Sequence, residues 1–346
     1  MIGPGQSEVF TCFANRARWH PLEYAFWLCA LVSIVVMPGR HLILTEIAIL
    51  ALFALSLDLI LGYAGIISLG HAAFFGFGAY AAGLLAKHQI IAEPLLALLV
   101  SGLATMVLGF VSSFLVLRGS DLTRIMMTLG VALVLREVAN RYAWLTGGAD
   151  GLQGVEVQPL LGVFRFDMFG HTGYAYSLGV LFVLFVLARR IVHSPFGMSL
   201  QAIKANPLCA AAVGIPVNSR LIAVYTIAAF YAGIAGALLT QTTAFASLSV
   251  FDFDRSADLL LVLIIGGTGY LYGGPIGAII FKVMQDYLAG LTPQYWPFWI
   301  GLLLVVIVLV GRERIFSWTA PARVLATRLS QRSRPVDQPA PEVRRA

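Results

Sequence analysis

Eight ionisable side chains lie inside otherwise apolar stretches of this 346-residue chain: Glu46, Asp58, His71, Arg124, Arg136, Glu137, Lys282 and Asp286. If those stretches cross a bilayer, as their length implies below, each charge is costly and a candidate for function. Asp58 and His71 bracket a glycine-rich run, where they could hydrogen-bond a passing solute or backbone groups that the glycines leave unpaired. Arg136 and Glu137 are neighbours, face differently on a helix and read as solvated near an interface. Lys282 and Asp286 are four apart, the spacing of a helical ion pair. None of these forms a catalytic set. The sequence holds no His-Glu-x-x-His metal helix, no Gly-x-Ser-x-Gly elbow and no phosphate-binding Gly-Lys-Ser/Thr loop. The chain therefore reads as a non-enzyme with no metal site and no cofactor of its own; ATP and magnesium, if used, belong to another subunit. Cys12, Cys29 and Cys209 are scattered and read as small apolar fillers.

Two glycine-rich segments carry more information. The first is Leu61-Gly62-Tyr63-Ala64-Gly65-Ile66-Ile67-Ser68-Leu69-Gly70-His71, continuing through Phe74, Phe75 and Gly76. The second is Gly266-Gly267-Thr268-Gly269-Tyr270-Leu271-Tyr272-Gly273-Gly274-Pro275. Glycine lets helices approach closely, and clusters of it let a helix break inside a membrane, exposing amides and carbonyls that can hold a polar solute. Tight packing and a broken-helix pathway are equally compatible with the spacing. A pathway would draw on Asp58, Tyr63, Gly65, Ser68, Gly70, His71 and Phe75 from the first segment and Gly266, Gly267 and Gly269 from the second. The second run is no dinucleotide or phosphate loop, because the flanking strand is missing and the spacing is wrong.

A third segment, from His193 to Pro216, is punctuated like a short helix in a loop. Asn206 suits the N-cap and Pro207 the first helical position; Gly214 suits the left-handed C′ position and Pro216 blocks continuation. About two turns fit between those stops. So short a helix is poorly stable alone and makes sense docked, against a partner or against its own bundle.

The elements that position these segments are membrane helices. Hydrophobic residues make up 59% of the chain and charged residues 12%, too few charges to cover a soluble core of this size. No charge occurs in 94–117, 221–251, 259–281 or 295–311, and about 20 apolar residues suffice to span a bilayer. The expected fold class is an all-α polytopic bundle with about ten spans, near 22–38, 42–61, 66–86, 94–117, 121–142, 174–188, 219–245, 256–271, 275–290 and 296–311. The glycine segments would interrupt two helical stretches of it. Arg16 and Arg18 set the N-terminus in the cytoplasm by the positive-inside rule, and an even span count returns the C-terminus there. Residues 1–20 then form a cytoplasmic segment, 21–311 the membrane domain, 193–218 a cytoplasmic loop and 143–173 an external loop. The tail 312–346, with Pro321, Pro335, Pro339, Pro341 and many arginines, reads as disordered and basic near anionic lipid headgroups.

Both glycine segments, the loop and Leu145-Thr146-Gly147-Gly148-Ala149-Asp150-Gly151-Leu152 resemble the permease subunits of branched-chain amino acid ABC transporters. The resemblance is to the second of the two homologous permeases and runs from about Leu42 to Gly311. It implies a heterodimer with the other permease, two cytoplasmic ATPase subunits, a periplasmic binding protein and a location in the bacterial cytoplasmic membrane. No nucleic-acid partner is expected. The loop resembles the family's coupling motif, in which Leu208, Cys209 and Ala210 precede three residues and Gly214. The coupling surface so implied comprises Ser194, Pro195, Gly197, Ala202, Lys204, Asn206, Leu208, Ala210 and Gly214. The chain departs from the family pattern at Met198, Gln201, Ala205 and Pro207, where Arg and Glu are common, and at Asp58, where Asn is usual. The resemblance implies import of branched-chain or related small amino acids, with urea or short amides as the alternative cargo. An ion-coupled secondary transporter, and an intramembrane enzyme using Asp58 with His71, are the rival classes.

Overall fold

The computed structural model describes residues 21–305, apart from 38, 92, 161, 163, 165, 167–169, 292, 296, 303 and 304. The N-terminal segment 1–20, the end of the last expected span and the tail 312–346 lie outside the described residues. The elements are α1 (Pro21–Val36), α2 (His41–Asp58), α3 (Ala72–Lys87), α4 (Pro94–Val116), α5 (Asp121–Arg141), α6 (Ala143–Thr146), α7 (His171–Val192), α8 (Pro195–Ala205), α9 (Pro207–Ala212), α10 (Val217–Thr243), α11 (Phe253–Gly266) and α12 (Gly273–Leu291). A wider π-helical turn, Leu59–Tyr63, continues α2, and short 3₁₀ turns cover Gly148–Asp150 and Leu248–Phe251. Among the described residues only isolated bridges interrupt an all-helical chain.

Helix positions follow the apolar runs closely, but among the described residues four helices are both long and apolar enough to cross a membrane: His41–Tyr63, Pro94–Val116, His171–Val192 and Val217–Thr243. The third expected span starts six residues late, because residues 64–71 are not helical and α3 begins only at Ala72. Two compact units divide the chain, residues 1–284 and 285–346. The second contributes the last turns of α12 and a helical run over 297–302.

In the first unit α10 is the axis, packed along α4, α3 and α2, with α7 against α2. Small residues make this possible. A Cβ on Gly78 would lie 2.2 Å from the Gly233 carbonyl oxygen, and one on Gly236 would lie 1.8 Å from the Phe75 carbonyl oxygen, so α3 and α10 touch backbone to backbone. Polar atoms in the apolar interior are paired between helices: Tyr176 Oη donates to Gln241 Oε1 (2.9 Å), and Gln241 Nε2 donates to the Pro94 carbonyl (2.8 Å). Leu96, Leu99, Leu103, Val107 and Val111 of α4 are exposed, the surface expected of a helix solvated by lipid rather than water.

The external-loop candidate 143–173 is tied down at its start. Leu152 N–H donates to the Ala246 carbonyl (2.7 Å), just beyond α10, and Gly147, Gly148 and Gly151 all take positive φ to make the tight turn before it.

Candidate functional site

The first glycine segment ends a helix. After Tyr63 the chain leaves helical geometry at Ala64 and recovers it at Ala72, with Gly65 at φ +76°, a conformation that L side chains rarely accept. The second does the same: α11 stops at Gly266, Gly267 and Gly269 take φ of +103° and +80°, and α12 begins at Gly273. Close approach adds a second constraint there, since a Cβ on Gly266 would lie 1.9 Å from the Gly273 carbonyl oxygen.

Stopping a helix leaves amides and carbonyls without intrahelical partners. Here other segments supply them. Gly269 N–H donates to Asp58 Oδ1 (2.7 Å), Ala72 N–H to Ser256 Oγ (3.0 Å) and Leu69 N–H to Thr128 Oγ1 (3.3 Å). The Gly62 carbonyl accepts from Lys204 Nζ (2.6 Å). The Tyr63 hydroxyl lies beside the backbone of Leu271. Of the two roles open to Asp58, the structure therefore displays the backbone one, and the backbone concerned belongs to the other glycine segment.

The two segments meet at Gly62. A Cβ there would fall 2.1 Å from Asp58 Oδ1 and 2.5 Å from Gly269 N, so only glycine fits. Gly70 is pressed equally close to α5, where a Cβ would lie 1.8 Å from the Thr128 carbonyl oxygen. His71 is fully buried; its Nε2 lies 2.8 Å from Ser56 Oγ and its ring stacks on Phe53, which also packs on Phe75. Ser68 Oγ and His71 Nδ1 are buried polar atoms with no hydrogen-bond partner among the described residues. Asp58, Tyr63, Gly65 and Gly269 thus share one locus, while His71 and Phe75 belong to an aromatic cluster on α2 and α3. None of them lines the apolar cavity of about 280 Å³ that lies between Tyr80 and Leu84 of α3 and Leu135 and Val138 of α5.

The loop holds two helices where the punctuation at Asn206 and Gly214 announces one. Pro195 opens α8 at its first position; Ser194 precedes it, but its hydroxyl turns back to the Ile191 carbonyl (2.6 Å) instead of capping. Gly197 is required there, since a Cβ would lie 2.0 Å from the Val192 carbonyl oxygen. The second helix, α9, has both expected caps. Asn206 Oδ1 accepts from Leu208 N (3.0 Å) and Cys209 N (3.2 Å). At the other end Gly214, at φ +93°, donates to Ala211, and Ile215 donates to Ala210, which closes a Schellman motif. Ala210 faces inward, whereas Leu208 and Val213 are 81% and 83% exposed, alongside exposed Cys209, Ala211 and Ala212. Ala202 is exposed on α8.

One ion-pair reading is corrected. Lys282 pairs with Glu46 of α2, since side chains from two packed helices meet more closely than the i,i+4 reading with Asp286 allowed for. Arg136, read as solvated, is half exposed, and its Nε also lies 2.9 Å from Asp252. Thr128, Ser256 and Ser56 went unnoticed in the sequence. Their only signal is a hydroxyl in an apolar helix, which commonly bonds its own helix as readily as a distant break. Among the described residues no group of three His, Cys, Asp or Glu could hold a metal ion.

Glycine-rich segments held against one another, with Lys204 of the loop helix α8 bonded to one of them, suit a permease, and comparison with known families decides which kind. The family described as "Branched-chain amino acid transport system / permease component" matches residues 40–309. The chain belongs to that family.

That match covers α2 to α12, both glycine segments and the loop, and leaves out α1. The chain is 25% identical over 323 residues to the high-affinity branched-chain amino acid transport system permease protein LivM of Escherichia coli, covering 86% of this chain and 75% of LivM. It is also 30% identical over 166 residues to the ribose import permease protein RbsC of Bacillus subtilis, covering 44% of this chain and 50% of RbsC. The fructose import permease protein FruF of Bifidobacterium longum is 25% identical over 222 residues, covering 61% and 60%. No solved structure matches the chain. As a member of that family, it is a multi-pass protein of the bacterial inner membrane and a permease of the ABC importer family.

Proposed function

We propose that this chain is one permease half of an ATP-driven importer for branched-chain or related small amino acids. The observation that carries the reading is the α8–α9 pair. Its outer end presents exposed Leu208 and Val213 on a helix fixed by both caps, while its inner end reaches the first glycine segment through Lys204. A rigid apolar knob on the positively charged side of a membrane protein, held next to Arg189, Arg190 and His193, suits a groove on a soluble motor.

In this reading the bundle has about ten spans, two of them broken at the glycine segments, and both termini are cytoplasmic. A second, homologous permease completes the pathway, two ATPase subunits hold ATP and magnesium, and a binding protein docks on the face that includes 143–173. ATPase closure presses on Ser194–Gly214, and the glycine segments shift between two packings. The amino-acid cargo is favoured over a sugar because likeness to LivM runs over 86% of the chain against 44% for RbsC. Ribose or fructose is the second reading, on the strength of those relatives.

The test is reconstitution of this chain with its genomic neighbour permease, ATPases and binding protein in proteoliposomes. Uptake of labelled leucine, competed by isoleucine or valine, is expected. Uptake of labelled ribose instead would replace the cargo, and equal uptake without ATP would overturn the importer.

A further inference from the structure

Lys204 occupies the last turn of α8, yet its ammonium group does not face outward with the knob. Nζ donates to the Gly62 carbonyl at 2.6 Å, and the aliphatic stem crosses Gly65, where an added Cβ would lie 3.0 Å from Lys204 Cγ. Gly62 stands in the closing π-helical turn Leu59–Tyr63. Carbonyls in a final turn lack intrahelical donors and form the negative end of the helix dipole, so an ammonium group is the natural partner. On its other side Gly62 abuts Gly269 N, which is itself held by Asp58 Oδ1 (2.7 Å). The path from the loop to the second glycine segment therefore has two hydrogen bonds, Lys204 Nζ to the Gly62 carbonyl and Gly269 N–H to Asp58, and a close approach of Gly62 to Gly269.

We infer that Lys204 is a positioning residue that links the loop helices mechanically to both glycine segments: it carries displacement of α8 to Gly62, and Asp58 carries it on to Gly269. The inference rests on the docking role of α9 proposed above and assigns Lys204, an exposed residue whose ammonium group is turned to Gly62, a place apart from it. Within the loop the two roles divide. Leu208 and Val213 meet the motor; Lys204 passes the movement inward.

The experiment uses the full complex, with Cys12, Cys29 and Cys209 replaced by Ser and a reporter at Tyr270→Cys, an exposed position of the second break. Maleimide labelling of the reporter is compared with and without ATP plus vanadate, and ATPase content is measured after purification on this chain. In the otherwise unaltered complex the labelling rate is expected to change at least threefold with nucleotide. Lys204→Met should keep a full complement of ATPase subunits and lose that change; Lys204→Arg, which keeps a cationic donor, should restore it. A nucleotide-dependent change that survives in Lys204→Met overturns the link, as does loss of the ATPase subunits from that variant. Leu208→Asp tests the underlying docking separately. It should strip the ATPases from the complex, and their retention would overturn the docking reading whatever Lys204 does.

Discussion

Asp58 and Gly269 stand 211 residues apart in the chain and share a 2.7 Å hydrogen bond, carboxylate oxygen to backbone amide. Asp58 ends α2 just before the first glycine segment and Gly269 belongs to the second, so the bond ties the end of α2 to the second segment. A carboxylate is a strong acceptor for a backbone N–H in a poorly solvated place, and the fit around it is close enough to demand glycine at position 62.

Removing the acceptor should be costly, and keeping an amide oxygen should not. Asp58→Ala is expected to destabilise the detergent-solubilised protein by about 1.5–3 kcal/mol, the range for losing a hydrogen bond to a charged group. Asp58→Asn retains an oxygen and should lose less than half of that. Thermal unfolding of the two variants side by side checks the order; equal losses would mean that Gly269 N–H does not depend on residue 58.

Glycines at 62 and 214 should respond differently to alanine. At Gly62 the new methyl group meets Asp58 Oδ1 and Gly269 N well inside contact distance, so the two segments must separate and the variant should lose both stability and transport. Gly214 has nothing within 4 Å of a Cβ, and only its φ of +93° resists. The expected loss there is about 1 kcal/mol, the cost of holding an L residue in left-handed geometry. Melting temperatures of Gly62→Ala and Gly214→Ala measure the contrast, and a larger loss at 214 would refute it.

Asn206 caps two amides, those of Leu208 and Cys209. Asn206→Ala should cost α9 about 1 kcal/mol, which is a roughly fivefold rise in local opening. Hydrogen exchange at those two amides reads it directly. Unchanged exchange would show that the Schellman closure at Gly214 alone holds the helix.

The ion pair between Arg189 of α7 and Glu23 of α1 is mostly buried, with 9% and 19% of the side chains exposed. Breaking such a pair from one side leaves an uncompensated charge, so Arg189→Met is expected to cost about 3 kcal/mol. Glu23→Gln together with Arg189→Met should recover part of that. A double-variant stability cycle decides it, and strict additivity would count against the pairing.

Much was legible in the order of residues alone. Apolar runs fixed the helix positions because a bilayer leaves the backbone no partner except itself, and α9 was readable cap by cap because Asn, Pro and Gly act on their own few residues. The left-handed glycines 65, 267 and 269 fall within the two glycine-rich segments for the same local reason. What sequence could not determine was partnership. Lys282 sits four residues from Asp286 but pairs with Glu46; Thr128 and Ser256 look like ordinary hydroxyls but occupy amides at the first break; Lys204 looks like a surface charge of the loop but grips Gly62. Those choices depend on which helices the fold brings within 3 Å of one another. Close approach of these segments, which at Gly62 and Gly70 only glycine permits, settled them, because a polar group in an apolar interior takes the partner that tertiary geometry offers.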